Sequence, residues 1–221
     1  MAIKNLDELG YYEKQAALEA WYKRQADDDM IPDKDYFRED LEHVGAVLGF
    51  RIDDSQWSGF ACQGDGASFT GVWRSVDAAG AVAGMAEHAP LDETLTVLAV
   101  DAAELAAKIA AWTAARDEAH EADEDCPLPQ SNGDEGWYKI ARTDYYYSHE
   151  NTIRAEPSDY APFDAPELSD EVTELARRLS KWYYRSLEAE YDYQTGEKGL
   201  QDAINDGFVA VDADGSLAYT D

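Results

Sequence analysis

The spacing of apolar residues changes at Ile52, and no single type of regular structure accommodates both sides of that change. Before it, apolar side chains recur every three to five positions. Leu6, Leu9, Tyr12, Ala16, Trp21 and Tyr22 form one series, with Glu8, Glu13, Lys14, Glu19, Lys23 and Arg24 on the polar side, the pattern of an amphipathic helix. Asp27-Asp28-Asp29 and Pro32 close it. A second helix carries Phe37, Leu41, Val44 and Leu48 and ends at Gly49, a natural C-terminal stop. Beyond Ile52, residues 57–62 and 67–73 are short, aromatic and β-branched, and Gln63-Gly64-Asp65-Gly66 lies between them. That arrangement predicts a β-hairpin. Period-two geometry puts Phe69, Gly71 and Trp73 on one face, with a glycine that a neighbouring ring could cover.

Residues 76–119 are alanine-rich and helical in composition, although 94–100 are β-branched enough to form a strand instead. Asp101 followed by Glu104 fits a capping box opening a helix through Leu105, Ile109 and Trp112. Residues 137–142 and 145–156 read as two aromatic strands. The strongest helix follows. Ser169 caps it, Asp170 and Glu171 meet its dipole, and Val172, Leu175, Leu179, Trp182, Tyr183 and Leu187 form its apolar stripe. Residues 199–206 add a helical turn, and the tail forms a strand or hairpin around Asp214-Gly215. Helical and strand segments do not alternate strictly, which predicts an α+β fold: a small antiparallel sheet with several packed helices. The expected organisation is an N-terminal helical segment, 1–50, and an α+β domain, 51–221, with an acidic loop near 117–136.

Charge limits the partners. The chain has 221 residues, 47 Asp plus Glu and 18 Lys plus Arg, a formal net charge of −29. A polyanion repels nucleic acid and anionic membrane surfaces, so direct binding to either is not expected. With 45% hydrophobic residues, including 6 Trp, 14 Tyr and 6 Phe, the chain has material for a core. Cys62 and Cys126 read as reduced thiols, the start carries no apolar leader, and no window suits a membrane span. A cytoplasmic protein is the expectation.

Candidate chemistry is sparse. The Gln63 to Ser68 segment could cradle an anion or metal through its glycine N–H groups and Asp65, yet a tight hairpin needs the same residues. Asp212-Ala-Asp214-Gly215 lacks the later ligands of a calcium loop and reads as a turn. Cys62, His149 and Asn151 are the possible nucleophilic set, with nothing to fix their proximity. His43, His88, His120 and His149 show no metal-site spacing, so no metal or other cofactor is expected. His149-Glu150-Asn151 reads as a polar strand end that fixes a turn. Arg177, Arg178, Lys181 and Arg185 form a basic cluster expected to pair with Glu174, Glu188 and Glu190 at helical spacing.

The segment 57–71 resembles a recurrent S-G-F-x-x-Q-G-D-G-A-x-F-x-G pattern of acidic bacteriophage and prophage proteins. Residues 147–153 and 182–195 look like later blocks of the same proteins. Gln63, Gly64, Asp65, Gly66 and Phe69 are the motif positions. The resemblance supplies no residue role; what it implies is a phage gene acting in the host cytoplasm, where small acidic proteins serve as anti-defence factors.

Roughly 29 charges match the phosphates on about 50 Å of duplex DNA, and the carboxylates here are spread along folded segments rather than confined to a tail. The leading expectation is a non-enzymatic anti-defence protein that mimics DNA and blocks a host nucleic-acid-binding protein. Asp117, Glu118, Glu121, Asp123, Glu124 and Asp125 form the densest candidate patch. Alternatives are a small enzyme or ligand-binding domain beside the Gln63 to Ser68 hairpin, with Asp65 and His149, and a structural or regulatory phage protein. The oligomeric state is left open, a dimer included.

Overall fold

The computed structural model describes residues 3, 5–26, 32, 34–60, 64–121, 136–144, 146–159 and 166–219. Among them are six α-helices, a four-stranded antiparallel sheet and a two-stranded sheet, an α+β fold. The chain forms two compact units, one from residues 38–185 and one from 1–37 together with 186–221. The division therefore falls at 37/38 and 185/186 instead of at residue 50.

In the larger unit, α2 (Lys34–Val47), which belongs to it from Arg38 onward, leads into β1 (Phe50–Trp57), and β2 (Ala67–Trp73), β3 (Tyr138–Arg142) and β4 (Ile153–Pro157) complete the sheet in sequence order. Every neighbour is antiparallel. The buried residues Phe50, Ile52, Phe69, Trp73, Tyr138, Ile140, Ile153 and Ala155 alternate along these strands, as period-two geometry requires. Trp73 Nε1 donates to the Leu48 carbonyl at 3.0 Å, satisfying a buried indole. Gly71 does lie between Phe69 and Trp73, but strand β1, rather than a ring, occupies its free side. A Cβ there would stand 2.0 Å from the Arg51 carbonyl oxygen, close to a bulge in β1 between Ile52 and Asp54.

Helices α3 (Ala78–His88) and α4 (Glu93–Glu121) pack as a hairpin. The strand considered for 94–100 is helical, because Leu95, Leu98, Ala99, Ala102, Leu105 and Ile109 make a buried stripe of helical period while the β-branched Val97 and Val100 face outward. The helix also starts earlier than the Asp101–Glu104 capping box implied. Asp92 caps it, its Oδ1 accepting the Leu95 N–H at 3.0 Å, and Asp101 lies well inside. The acidic loop expected from residue 117 is helical as far as Glu121.

Helix α5 (Pro166–Thr195) begins at a proline, which lacks the N–H a first turn leaves unpaired. Ser169 therefore sits inside it, donating to the Ala155 carbonyl at 2.8 Å. Residues of α5 up to Arg185 belong to the larger unit, where Val172, Leu175, Ala176, Leu179 and Tyr183 are buried.

The smaller unit contains α1 (Tyr11–Ala26), α6 (Glu197–Asn205) and the hairpin β5 (Val209–Val211) and β6 (Leu217–Tyr219). Leu6, Ala17, Trp21, Leu200, Val209 and Val211 form its core. Ile3 N–H donates to the Val211 carbonyl at 2.7 Å, and Lys14 joins Asp7 at 3.1 Å to Glu197 at 2.6 Å. Asp214 holds the hairpin turn by accepting from the Ser216 N–H and hydroxyl, bonds that lower its pKa.

Candidate functional site

The predicted patch 117–125 straddles the end of α4. Glu118 is exposed there, Asp117 and Glu121 close the helix, and Asp123, Glu124 and Asp125 lie outside the described residues. A better-defined carboxylate surface stands on α5. Glu167, Asp170 and Glu174 are all exposed, and their three- and four-residue steps place them about 4.5 and 6 Å apart along the axis. Beside them a groove of about 200 Å³ is lined by Asp101, Glu104, Lys108, Glu171, Glu174 and Arg178. Lys108 Nζ contacts Glu171 Oε2 at 2.6 Å, and that hydrogen bond raises the lysine pKa. Arg178 binds Asp101. Two of the four carboxylates are thus neutralised, while Glu104 and Glu174 have no ion pair among the described residues. The sequence does not announce this row, because Asp170 reads as a partner of the helix dipole, Glu174 as a partner of the basic cluster, and Glu167 lies ahead of the expected cap at Ser169.

The basic cluster also differs from expectation. Arg178 turns to α4, and Arg177 donates to the carbonyls of Ile153 and Asn151 at 3.2 and 3.3 Å. These partners come from other elements, not from carboxylates one turn away.

The motif residues lie in the β1–β2 connection. Strand β1 stops at Trp57, so the connection runs over 58–66 rather than over the four expected turn residues; Gln63 and Cys62 lie outside the described residues. Ser58 N–H donates to the Gly66 carbonyl at 3.0 Å, and Gly66 N–H donates to Ser58 Oγ at 3.2 Å. Phe60 leaves the sheet direction and stacks between Trp57 and Tyr184, with centroids at 5.0 and 5.6 Å. Tyr184 hydroxyl donates to the Gly59 carbonyl at 2.9 Å. Gly64 stands in open space, whereas a Cβ on Gly66 would lie 3.0 Å from the His149 ring. Phe69 is fully buried against Phe50 and belongs to the core.

Ser58 Oγ also reaches the Ser148 carbonyl at 3.4 Å. The three sequence blocks, 57–71, 147–153 and 182–195, therefore meet through Ser58–Ser148, Gly66–His149 and Gly59–Tyr184. His149 Nδ1 accepts the Asn151 N–H at 3.1 Å and lies 3.1 Å from Glu150 Oε2. This bond caps the short 3₁₀ turn Glu150–Thr152, which replaces the first part of the strand expected over 145–156. With Cys62 outside the described residues, the Cys62–His149–Asn151 set is not assembled by them. Among those residues no group of three His, Cys, Asp or Glu side chains is placed to hold a metal ion. No described helix is long and apolar enough to cross a membrane.

A family model described as a domain of unknown function, DUF8835, matches residues 34–197. The chain belongs to that family. No curated protein and no solved structure matches it.

Proposed function

We propose that the chain is a non-enzymatic binding protein whose helix-borne carboxylates occupy the basic, nucleic-acid-binding face of a partner protein. The exposed row Glu167, Asp170 and Glu174, flanked by Glu104, carries this reading. These charges stand on packed helices, so they meet a cationic surface without first being ordered. The overall charge of −29 directs approach toward cationic partners and away from DNA. The resemblance to phage proteins supports a host restriction, CRISPR or similar defence component as the partner, met in the host cytoplasm.

The test is capture of partners from bacterial lysate at low and physiological salt. Nucleic-acid-binding proteins should be retained, released by duplex DNA, and held less tightly as salt screens the charges. The combined variant Glu104→Gln, Glu167→Gln, Asp170→Asn and Glu174→Gln should capture at least tenfold less. Retention that neither salt nor DNA disturbs would overturn the reading.

The seating of Gly66 against His149 favours a second reading, a ligand-binding or catalytic site at the 58–66 connection. Asp65→Asn and His149→Gln would then remove activity while the protein stays folded.

A further inference from the structure

The connection between β3 and β4 presents two exposed aromatic rings on a braced backbone. Tyr146 is 94% exposed and Tyr147 62% exposed. Asp144 fixes the approach to them, its Oδ1 accepting the Tyr146 N–H at 2.7 Å. The segment is closed by Thr143 N–H donating to the Thr152 carbonyl at 2.8 Å, and Ser58 and Gly66 support it at Ser148 and His149. Single exposed apolar side chains are ordinary on protein surfaces. Two consecutive tyrosines on a backbone held at both ends are different, because a ring with few rotatable bonds gives contact area at low ordering cost.

Glu150 is turned to His149 at 3.1 Å, so what draws a cation toward these rings is the net charge of −29 together with Asp144 just ahead of them in sequence. Electron-rich ring faces suit a cation, and a guanidinium in particular, since its planar group can stack flat on a ring. The molecule already contains one such contact: the Arg24 guanidinium lies 3.7 Å from the Tyr219 ring centroid. Tyr11 and Tyr12 are comparably exposed, but they engage each other edge to face at 5.5 Å and fall outside the family match, which includes 146 and 147.

We propose that Tyr146 and Tyr147 form an arginine-reading tip, which selects arginine over lysine in a basic partner segment. This rests on the reading of the chain as a binder of basic partners, and adds to it a site and a residue preference that charge alone does not give.

The experiment measures binding of labelled nona-arginine and nona-lysine peptides to the intact chain by fluorescence anisotropy, at low and physiological salt. Nona-arginine should bind about fivefold or more tightly than nona-lysine, the contribution expected of two exposed ring contacts. In Tyr146→Ala/Tyr147→Ala the two affinities should converge, with nona-arginine losing several-fold more than nona-lysine. Tyr146→Phe/Tyr147→Phe, which keeps the rings, should retain the preference, and so should Tyr11→Ala/Tyr12→Ala. Equal affinities in the unmodified chain overturn the proposal, as does a preference that survives loss of both rings or follows Tyr11 and Tyr12. Binding of both peptides without any preference leaves the carboxylate reading standing and removes only the tip. Absence of salt-sensitive binding to either peptide removes both.

Discussion

Ser180 Oγ donates a 2.7 Å hydrogen bond to the Ala67 carbonyl, and both residues are fully buried. The bond ties the middle of α5 to the first residue of β2, where the 58–66 connection enters the sheet. Ser180→Ala removes the donor while leaving the carbonyl buried. It should destabilise the protein by about 1–3 kcal/mol, read as a lower denaturation midpoint. A midpoint equal to that of the unmodified chain would show that the Ala67 carbonyl is satisfied without the serine.

Two glycines of the same hairpin make an internal comparison. Gly71→Ala drives a methyl group against the Arg51 carbonyl and should cost about 1–3 kcal/mol or more. Gly64→Ala meets nothing within 4 Å and should stay within about 0.5 kcal/mol. Urea denaturation of both variants checks the pair, and equal effects would contradict the close approach of β1 to Gly71.

Burial, with smaller contributions from Glu167 and Glu171, pushes the Tyr138 phenol up to about 12. In the unfolded chain a tyrosine ionises near pH 10. Between those values the unfolded chain releases a proton that the folded chain keeps, so the stability contribution is full below pH 10 and is lost as pH rises toward 12. Tyr138→Phe should flatten part of the alkaline decline in the denaturation midpoint. Only part should go, because burial also raises Tyr183.

Tyr184 and Phe60 hold the 58–66 connection from one side. Tyr184→Phe keeps the stacked ring but loses the bond to Gly59, and Phe60→Ala empties the stack. Hydrogen exchange at Gly64 and Gly66 should rise more in the second variant than in the first. Global stability should fall by no more than about 1 kcal/mol in Tyr184→Phe, as the lost bond is an exposed one.

The parts of the fold legible in the sequence are those whose signal is local. The apolar stripe from Val172 to Leu187, the aromatic alternation of β2 and the hairpin around Asp214-Gly215 each satisfy a short-range period or turn rule, and each is present. Residues 94–100 were ambiguous because Thr94, Thr96, Val97 and Val100 have strand propensity, while the helical signal resides in Leu95, Leu98 and Ala99 and in what they bury against. The role of Asp101 was illegible for a different reason: its partner, Arg178, is 77 positions away, and two charges that distant carry no periodic mark. The carboxylate row on α5 was visible as residues but not as a surface, since exposure depends on which side of the helix the sheet and α4 cover. The meeting of 58–66 with 148–149 and Tyr184 needed the strand order.

The smaller unit draws its core from both ends of the chain, with Leu6, Ala17 and Trp21 from one and Leu200, Val209 and Val211 from the other. During synthesis, then, the first helix emerges long before the residues that cover its apolar side exist, while 38–185 arrives as one uninterrupted stretch. Assembly order is written into the connectivity: residues 38–185 can condense as soon as they have left the ribosome, whereas the smaller unit must wait until residues 186–221 are made and can join residues 1–37.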